Sequence, residues 1–413
     1  MKKLHDLCHG CLEQARPIVA SPATLPVDVR GITHTITAAL ASAGLDTRSG
    51  VTRFVTQTIE QALASTGLGV RAPADLARAT TIDGDAVDIT APESSTSDDT
   101  PSGPLAPDEP ARPGDFVTRS FNSEMGARTY KLYVPASYTH TSEEPVPLIV
   151  MLHGCTQDPE DFAAGTRMNA LAHQHGFFVA YPAQEAHANG SKCWNWFRSE
   201  DQSRDRGEPA LIAGITREVA GTYHIDERRI FVAGLSAGAA MAVVVAAAYP
   251  ELYAALGVHS GLPYACAHDV PSAFAAMKGG APCQTPLSRR ADPARRSGTG
   301  PAIPTIIFHG DHDVTVNASN ADAIVEQARA ANSDDSALTS TVYRGTSANG
   351  RAYTRATLSD GTRRPVIEHW TLHGAGHAWS GGSPGGSFTD PTGPDASAEM
   401  VRFFYSQHRA GSA

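Results

Sequence analysis

The chain has 413 residues, and 33 Lys and Arg against 43 Asp and Glu give it a net charge of −10. No cluster of Lys or Arg interrupts this acidity, so the basic surface that binds a phosphate backbone is missing and nucleic acid is excluded as an expected partner. The hydrophobic fraction of 41% is enough for a sizeable core, and the length allows one large domain with a smaller one.

Two stretches of the sequence are candidates for a signal peptide and for a membrane span, either of which would determine where in the cell the protein acts. Two lysines follow Met1, but no apolar run of about 7–15 residues comes behind them, so no signal peptide is predicted and a cytoplasmic location is expected. The 19 residues from Phe231 to Tyr249 carry no charge and are long enough to span a membrane. They are mostly Ala and Gly, however, and enclose a G-x-S-x-G motif, which a strand, a tight turn and a buried helix explain better. We therefore expect no membrane span.

The amino-terminal part differs in composition from the rest. Residues 89–115 are rich in Pro, Ser, Thr, Asp and Glu, which predicts a disordered linker between an N-terminal extension (1–88) and a C-terminal block (116–408). Apolar residues between Val51 and Leu63 recur with the helical period, and residues 30–43 are a weaker helix candidate. This small helical extension either docks on the main domain or engages an apolar surface, such as a polymer granule, or another copy of the chain.

The C-terminal block alternates strand-like and helix-like runs. Apolar runs predict strands at Val146–Leu152, Phe177–Tyr181, Arg229–Ala233, Ala255–His259, Thr305–Phe308 and Val366–Leu372. Helices are predicted around Asp161–His175, at Leu211–Tyr223, after the strand that ends at Ala233, and at Ala396–His408. Buried strands separated by helices are typical of an α/β fold with a mostly parallel sheet flanked by helices. In such a sheet the chemistry belongs at the carboxyl ends of the strands.

The G-x-S-x-G motif places a candidate nucleophile at one of these ends. Ser236 lies between the strand RIFVA and an apolar helix. A sharp strand-to-helix turn exposes the serine hydroxyl, and the flanking glycines remove Cβ atoms that would clash. The same turn leaves the Ala237 amide at a helix N-terminus, where an oxyanion can form.

A serine nucleophile needs an orienting acid and a base downstream. The segment HGDHDVTV follows the strand PTIIF and offers two carboxylates. Asp313 lies further into the loop, where it can reach an imidazole, whereas Asp311 is interpreted as a cap of the turn.

The candidate base is His377, in the segment HGAGHAW just past the last predicted strand. Its small neighbours allow the loop to bring the imidazole against the serine. Three other histidines remain weaker candidates for this role: His373, His312 and His309.

A second oxyanion donor is expected after the strand VPLIVML, where His153, Gly154 and Cys155 form an H-G-x loop. The Cys155 amide is the predicted donor, and His153 is a candidate substrate-binding residue. Cys155 as a nucleophile is disfavoured, because no base is placed in sequence to serve it.

Together these motifs resemble those of the polyhydroxybutyrate depolymerase family of serine esterases, whose relatives include feruloyl and acetyl-xylan esterases. The resemblance covers residues 115–406 and rests on HGCTQ, CWNWF, GLSAGAAMA, HSGLPY, HGDHDVTV and GAGHAWSGG. It implies an α/β-hydrolase fold and a catalytic triad of Ser236, Asp313 and His377 with Cys155 and Ala237 as oxyanion amides. It also implies an aromatic substrate cleft to which Trp196 and Trp379 contribute.

The six cysteines are compatible with disulfide bonds or with reduced thiols, and the sequence alone does not decide between the two. Cys8 and Cys11 form a C-x-x-C without a second pair, too little to indicate a zinc site. The resemblance implies a disulfide between Cys155 and Cys193, and spacing alone makes a second disulfide between Cys266 and Cys283 plausible. Disulfides persist outside the reducing cytosol, so an extracellular or periplasmic location competes with the cytoplasmic expectation.

These observations predict an ester hydrolase that works through an acyl-serine intermediate and requires no cofactor or metal. The expected substrate is a short-chain polyhydroxyalkanoate or its oligomers. The alternatives are a feruloyl or acetyl-xylan type of carbohydrate esterase, a hydrolase of another polymer such as a polyamide, and a granule-binding protein whose catalytic site is vestigial.

Overall fold

The computed structural model describes residues 114–141, 144–279, 302–332 and 338–409. The predictions for the N-terminal extension, for residues 89–113 of the linker and for Cys283 lie outside the described residues. Strand β1 begins at Asp115, the last residue of the predicted linker.

Apolar sequence runs account for the middle of the sheet. Four strands, the third, fourth, sixth and seventh, are buried along all or nearly all of their length, as expected where helices cover both faces of a parallel sheet. The strands are β1 Asp115–Ser123, β2 Gly126–Val134, β3 Val146–Leu152, β4 Phe178–Pro182, β5 Ile225–Leu235, β6 Ala255–His259, β7 Thr305–Gly310, β8 Thr339–Thr346, β9 Ala352–Ser359, β10 Pro365–Leu372, β11 Trp379–Ser380 and β12 Thr389–Asp390.

In the described part of the chain, strands β1 to β10 form a single ten-stranded sheet in the order β1-β2-β4-β3-β5-β6-β7-β10-β9-β8. The pairs from β4 through β3, β5, β6 and β7 to β10 are parallel. The pairs at both edges are antiparallel. The mostly parallel α/β sheet predicted from the sequence is therefore confirmed.

Helices cover this sheet. They are α1 Pro159–Thr166, α2 Met168–His175, α3 Gly207–Thr222, α4 Ala237–Ala248, α5 Val270–Met277, α6 Ser319–Ala331 and α7 Ala396–Tyr405. Helix α4 is an Ala- and Val-rich segment whose first ten residues are all buried, and it packs on β5 and β6. A helix that is apolar on every side in this way belongs inside a protein core. None of the helices in the described ranges is both long and apolar enough to cross a membrane.

Several boundaries differ from the sequence expectation. The helical stretch around Asp161–His175 is two helices, because Arg167 adopts a left-handed backbone (φ 55°) between them. The closing helix ends at Tyr405, three residues earlier than predicted. The sequence analysis also missed the two edge hairpins, β1–β2 and β8–β9. Their strands carry many exposed polar residues, so they lack the apolar signal of the central strands.

Candidate active site

Ser236 occupies a strained turn between β5 and α4. Its backbone (φ 57°, ψ −121°) lies outside the regions that non-glycine residues favour. A Cβ on Gly234 would lie 2.5 Å from the carbonyl of Gly238, and a Cβ on Gly238 would lie 2.1 Å from the Leu152 oxygen. Both glycines are therefore needed for the turn to close and for α4 to approach the end of β3.

This close approach brings together the two segments that carry the candidate oxyanion amides. The Cys155 amide follows β3, and the Ala237 amide begins α4. Neither amide donates a hydrogen bond to any of the described residues. These are the two amides that the sequence analysis predicts as oxyanion donors, and that role stays a prediction.

The loop that carries the Cys155 amide is held from two sides. On one side the buried Gln157 accepts a hydrogen bond from the Gly154 amide (2.9 Å) and donates to Asp161 and to Ser387. On the other side a disulfide joins Cys155 to Cys193, the pairing that the resemblance implied. Cys266 is buried.

Asp313 and His377 form a hydrogen-bonded pair at the ends of β7 and β10. His377 Nδ1 lies 2.7 Å from Asp313 Oδ2, and the Asp313 side chain is fully buried. Its other oxygen accepts from the amides of Thr315 and Val316, each at 2.9 Å. Burial raises the pKa of the Asp313 carboxyl, but the bond to His377 and the other hydrogen bonds outweigh it and keep the pKa below its usual value. The carboxylate is thus ionised and fixed in orientation.

The other candidates for acid and base have different partners. Asp311 accepts from His373 Nδ1 (2.9 Å) and from the Gly374 amide (2.7 Å), so it caps the turn before His377. His309 is buried and its Nε2 donates to the Val316 carbonyl. The His312 side chain is exposed. Among these histidines, His377 alone makes a short hydrogen bond to Asp313.

Two of the predicted substrate contacts are wrong. Trp379 is 1% exposed, stacks on His259 and donates from Nε1 to Ser397, so it belongs to the core. His153 is also 1% exposed, and both of its ring nitrogens make hydrogen bonds within the protein. Burial lowers the pKa of His153 to about 4, which keeps it neutral. Trp196 is buried as well, at 6% exposed, and packs edge-on against Phe197.

His259 is a site residue that the sequence analysis did not assign. Its carbonyl accepts from the Ser236 amide (2.9 Å), and its Nε2 accepts from the Ser380 amide (3.0 Å), three residues past His377. Burial lowers the pKa of His259 to about 3, so the ring is a neutral acceptor. His259 thus ties the nucleophile turn, through its carbonyl, to the loop of the base, through its ring. It is the first residue of the motif HSGLPY, to which the sequence analysis assigns no separate role.

Within the described ranges no group of three or more His, Cys, Asp or Glu side chains is arranged to hold a metal ion. The site is instead assembled from a serine, an imidazole–carboxylate pair and two backbone amides. These are the groups that acyl transfer through a covalent intermediate requires.

A family model described as Esterase PHB depolymerase matches residues 128–344, slightly more than half of the chain. The chain belongs to this family. The match includes Ser236 and Asp313, whereas His377 lies beyond its end. The resemblance found in the sequence motifs is therefore confirmed at the level of the family.

Individual relatives agree with this assignment. Poly(3-hydroxyalkanoate) depolymerase C of Paucimonas lemoignei is 37% identical over 56% of this chain and 54% of its own length. A probable acetylxylan esterase A of Aspergillus fumigatus is 29% identical over 49% of this chain and 54% of its own. The chain thus spans about half the length of the curated relatives it matches. The solved acetyl xylan esterase from Aspergillus awamori shares the fold, with a TM-score of 0.54 over 70% of this chain and 99% of that one at 20% identity.

Proposed function

We propose that the protein hydrolyses carboxylic esters through an acyl-serine intermediate. The observation that carries this proposal is that the strained Ser236 turn and the loop of His377 follow parallel strands of one sheet and both hydrogen-bond to His259, while His377 is paired with Asp313. Membership of an esterase family supports it.

In the proposed mechanism, His377 takes the proton of Ser236 as the serine oxygen attacks the ester carbonyl. Asp313 accepts a hydrogen bond from His377 Nδ1–H without taking the proton, which keeps Nε2 free as the base and stabilises the imidazolium. The Cys155 and Ala237 amides stabilise the tetrahedral oxyanion. His377 then protonates the leaving alcohol, and it later activates a water molecule that releases the acid and restores the serine.

The proposed substrate is a short-chain polyhydroxyalkanoate or its oligomers. The family description and the relative at 37% identity, which is named a poly(3-hydroxyalkanoate) depolymerase, favour it. The second candidate is a carbohydrate esterase, because acetylxylan and feruloyl esterases are among the relatives. The presence in one chain of the serine, the histidine, the aspartate and both candidate amides supports an active enzyme over a vestigial site.

We also propose that the protein acts in an oxidising compartment, outside the cell or in a periplasm, rather than in the cytoplasm as first expected. The Cys155–Cys193 disulfide supports this location, because such bonds persist where thiols are not kept reduced. Titration of thiols in protein isolated without reductant tests it, and two reactive thiols at these positions would contradict it.

Contact with a polymer granule through the N-terminal residues 51–63 remains a proposal based on their apolar periodicity. In the full chain, Phe54→Ser is expected to slow granule clearing and to leave hydrolysis of soluble esters unchanged. Equal loss on both substrates would contradict a role in granule contact.

The test of function compares amorphous polyhydroxybutyrate granules, p-nitrophenyl butyrate and methyl ferulate, each with the wild type and with Ser236→Ala. Granule clearing that disappears in the variant would support both the nucleophile and the polyester substrate. Activity confined to methyl ferulate would move the substrate to the carbohydrate esterases. Hydrolysis that persists in Ser236→Ala would overturn the mechanism.

A further inference from the structure

Glu208 is a buried carboxylate that the proposed mechanism does not use. It lies in the first turn of α3 and is 4% exposed. Three N–H groups converge on its two oxygens. Gln184 Nε2 and Asn195 Nδ2 donate to Oε1, and the Asn195 amide donates to Oε2 at 2.7 Å.

This arrangement is specific for a carboxylate. Every neighbour that contacts the two oxygens is a donor, so a glutamine would place its own NH2 against an N–H in either orientation. Burial and the nearby Asp201 raise the pKa of Glu208 to about 7, which shows that the charged form is costly at this position. A buried carboxylate whose two oxygens are both hydrogen-bonded fixes the groups around it.

The groups that Glu208 fixes surround the disulfide. Asn195 follows Cys193 by two residues, and the Gln184 amide group that bonds Glu208 also donates to the Cys193 carbonyl at 2.8 Å. Arg128 in turn donates to Gln184 Oε1, which sets the orientation of that amide. The main chain from Cys193 to Asn195 is therefore held by one buried network.

The disulfide carries this constraint to the oxyanion site. Cys193 is bonded to Cys155, with their Cα atoms 4.2 Å apart, and Cys155 supplies one of the two amides. The next residue, Thr156, donates its amide to the Ser191 carbonyl at 2.7 Å. The loop after β3 is thus attached, at Cys155 and Thr156, to the segment around Cys193 that hydrogen-bonds with Glu208 and Gln184.

We propose that Glu208 is a positioning residue for the oxyanion site, acting on the Cys155 amide through Asn195, Gln184 and the Cys155–Cys193 disulfide. The inference rests on the proposed function. Since oxyanion donors act on the transition state rather than on the bound substrate, the loss of this support lowers kcat more than it changes KM.

The test is steady-state hydrolysis of p-nitrophenyl butyrate by Glu208→Gln. Complete removal of one oxyanion donor costs about 10²–10³ in rate, and displacement of the donor costs less, so we expect kcat to fall about 10-fold with KM within about twofold. A trifluoromethyl ketone, whose adduct with the serine carries an oxyanion, should bind more weakly by the same factor as kcat falls.

The matched control is Glu218→Gln, the same change on the same helix. Glu218 is exposed and accepts from Tyr130, away from the disulfide segment, so its variant should retain the wild-type kcat. If Glu208→Gln does not fold, Asn195→Ala, which removes one donor to Glu208, carries the same test with a smaller loss.

Wild-type kcat in the folded variant, or a raised KM at unchanged kcat and ketone affinity, would overturn the positioning role and leave the proposed function intact. A wild type that hydrolyses none of the esters would overturn the proposed function itself.

Discussion

The two halves of the candidate site are held by different means. The nucleophile half depends on backbone packing, because Gly234 and Gly238 let α4 press against β3 and leave Ser236 in its strained turn. The base half depends on side-chain hydrogen bonds, in which Asp313 holds His377 and Asp311 caps the turn before it.

This difference predicts two kinds of mutational response. A change in the nucleophile half that adds an atom should disturb packing and activity together. A change in the base half that alters only a hydrogen bond should reduce activity in a protein that remains folded. His259 joins the halves through one backbone and one side-chain hydrogen bond, so it should respond in both ways.

The largest effect on activity is expected from Asp313→Asn. The asparagine can still accept from the Thr315 and Val316 amides, but its NH2 would face His377 Nδ1 and favour the wrong tautomer. We expect kcat for p-nitrophenyl butyrate to fall about 10⁴-fold while the thermal midpoint changes by a few degrees at most. A folded variant with more than about a tenth of the wild-type rate would show that Asp313 is not the orienting acid.

In the nucleophile half, Gly238→Ala should lower stability as well as activity. The new Cβ would lie 2.1 Å from the Leu152 carbonyl oxygen and 2.4 Å from that of His153, and backbone atoms have little room to relax. We expect the free energy of unfolding, measured by denaturant titration, to fall by about 3 kcal/mol. Gly221→Ala is the matched control, since no atom lies within 4 Å of its Cβ, and it should not be destabilised. Equal stability of the two variants would contradict the packing argument.

A smaller effect is expected from Asp311→Asn. The variant keeps one acceptor for the Gly374 amide and loses the charge that faces His373, so the turn before His377 loosens without unfolding. We expect kcat to fall about 10-fold, equivalent to about 1.4 kcal/mol, with little change in KM. An unchanged kcat would mean that the turn does not need this cap.

The smallest effect concerns pH. The pKa of His259 lies near 3 when folded, below its ordinary value near 6.5, so its contribution to stability is present above pH 6.5 and is lost as the pH falls towards 3. His153 acts in the same direction, with a folded pKa of about 4. Glu208 opposes them, because its raised pKa makes the folded state lose stability as the pH rises from about 4.5 to about 7.

Denaturant titrations between pH 4 and 6.5 can separate these contributions. His259→Gln keeps an acceptor for the Ser380 amide and removes the titrating ring. We expect its stability to depend on pH less steeply than that of the wild type, by at most about 1.4 kcal/mol per pH unit. An identical slope in the two proteins would contradict the assignment of His259 as a buried neutral ring.

The sequence predicted the parts of the molecule that local pattern determines. The uninterrupted apolar run Val146–Leu152 predicted a strand, and the structure has β3 there. The glycines around Ser236 predicted a tight turn, and the structure has the turn at that residue. The break at Arg167 has no such signal, because a non-glycine residue adopts the left-handed backbone there.

Burial of aromatic and histidine side chains was not predictable in the same way. The family resemblance implies that Trp379 lines a substrate cleft, but its ring packs on His259 and Phe162, which are distant in sequence. The role proposed for Glu208 depends likewise on its partners Gln184 and Asn195, and on Arg128, which orients Gln184. Such side-chain networks become visible only when the chain is folded.

The most direct test of the central claim is identification of the residue that a fluorophosphonate labels. The protein is treated with the reagent, and the modified peptide is located by mass spectrometry in the wild type and in Ser236→Ala. We expect one phosphonyl group on Ser236 of the wild type, loss of esterase activity in proportion to labelling, and no label in the variant. A label on another residue, or full labelling of Ser236 with activity retained, would contradict the assignment of Ser236 as the nucleophile.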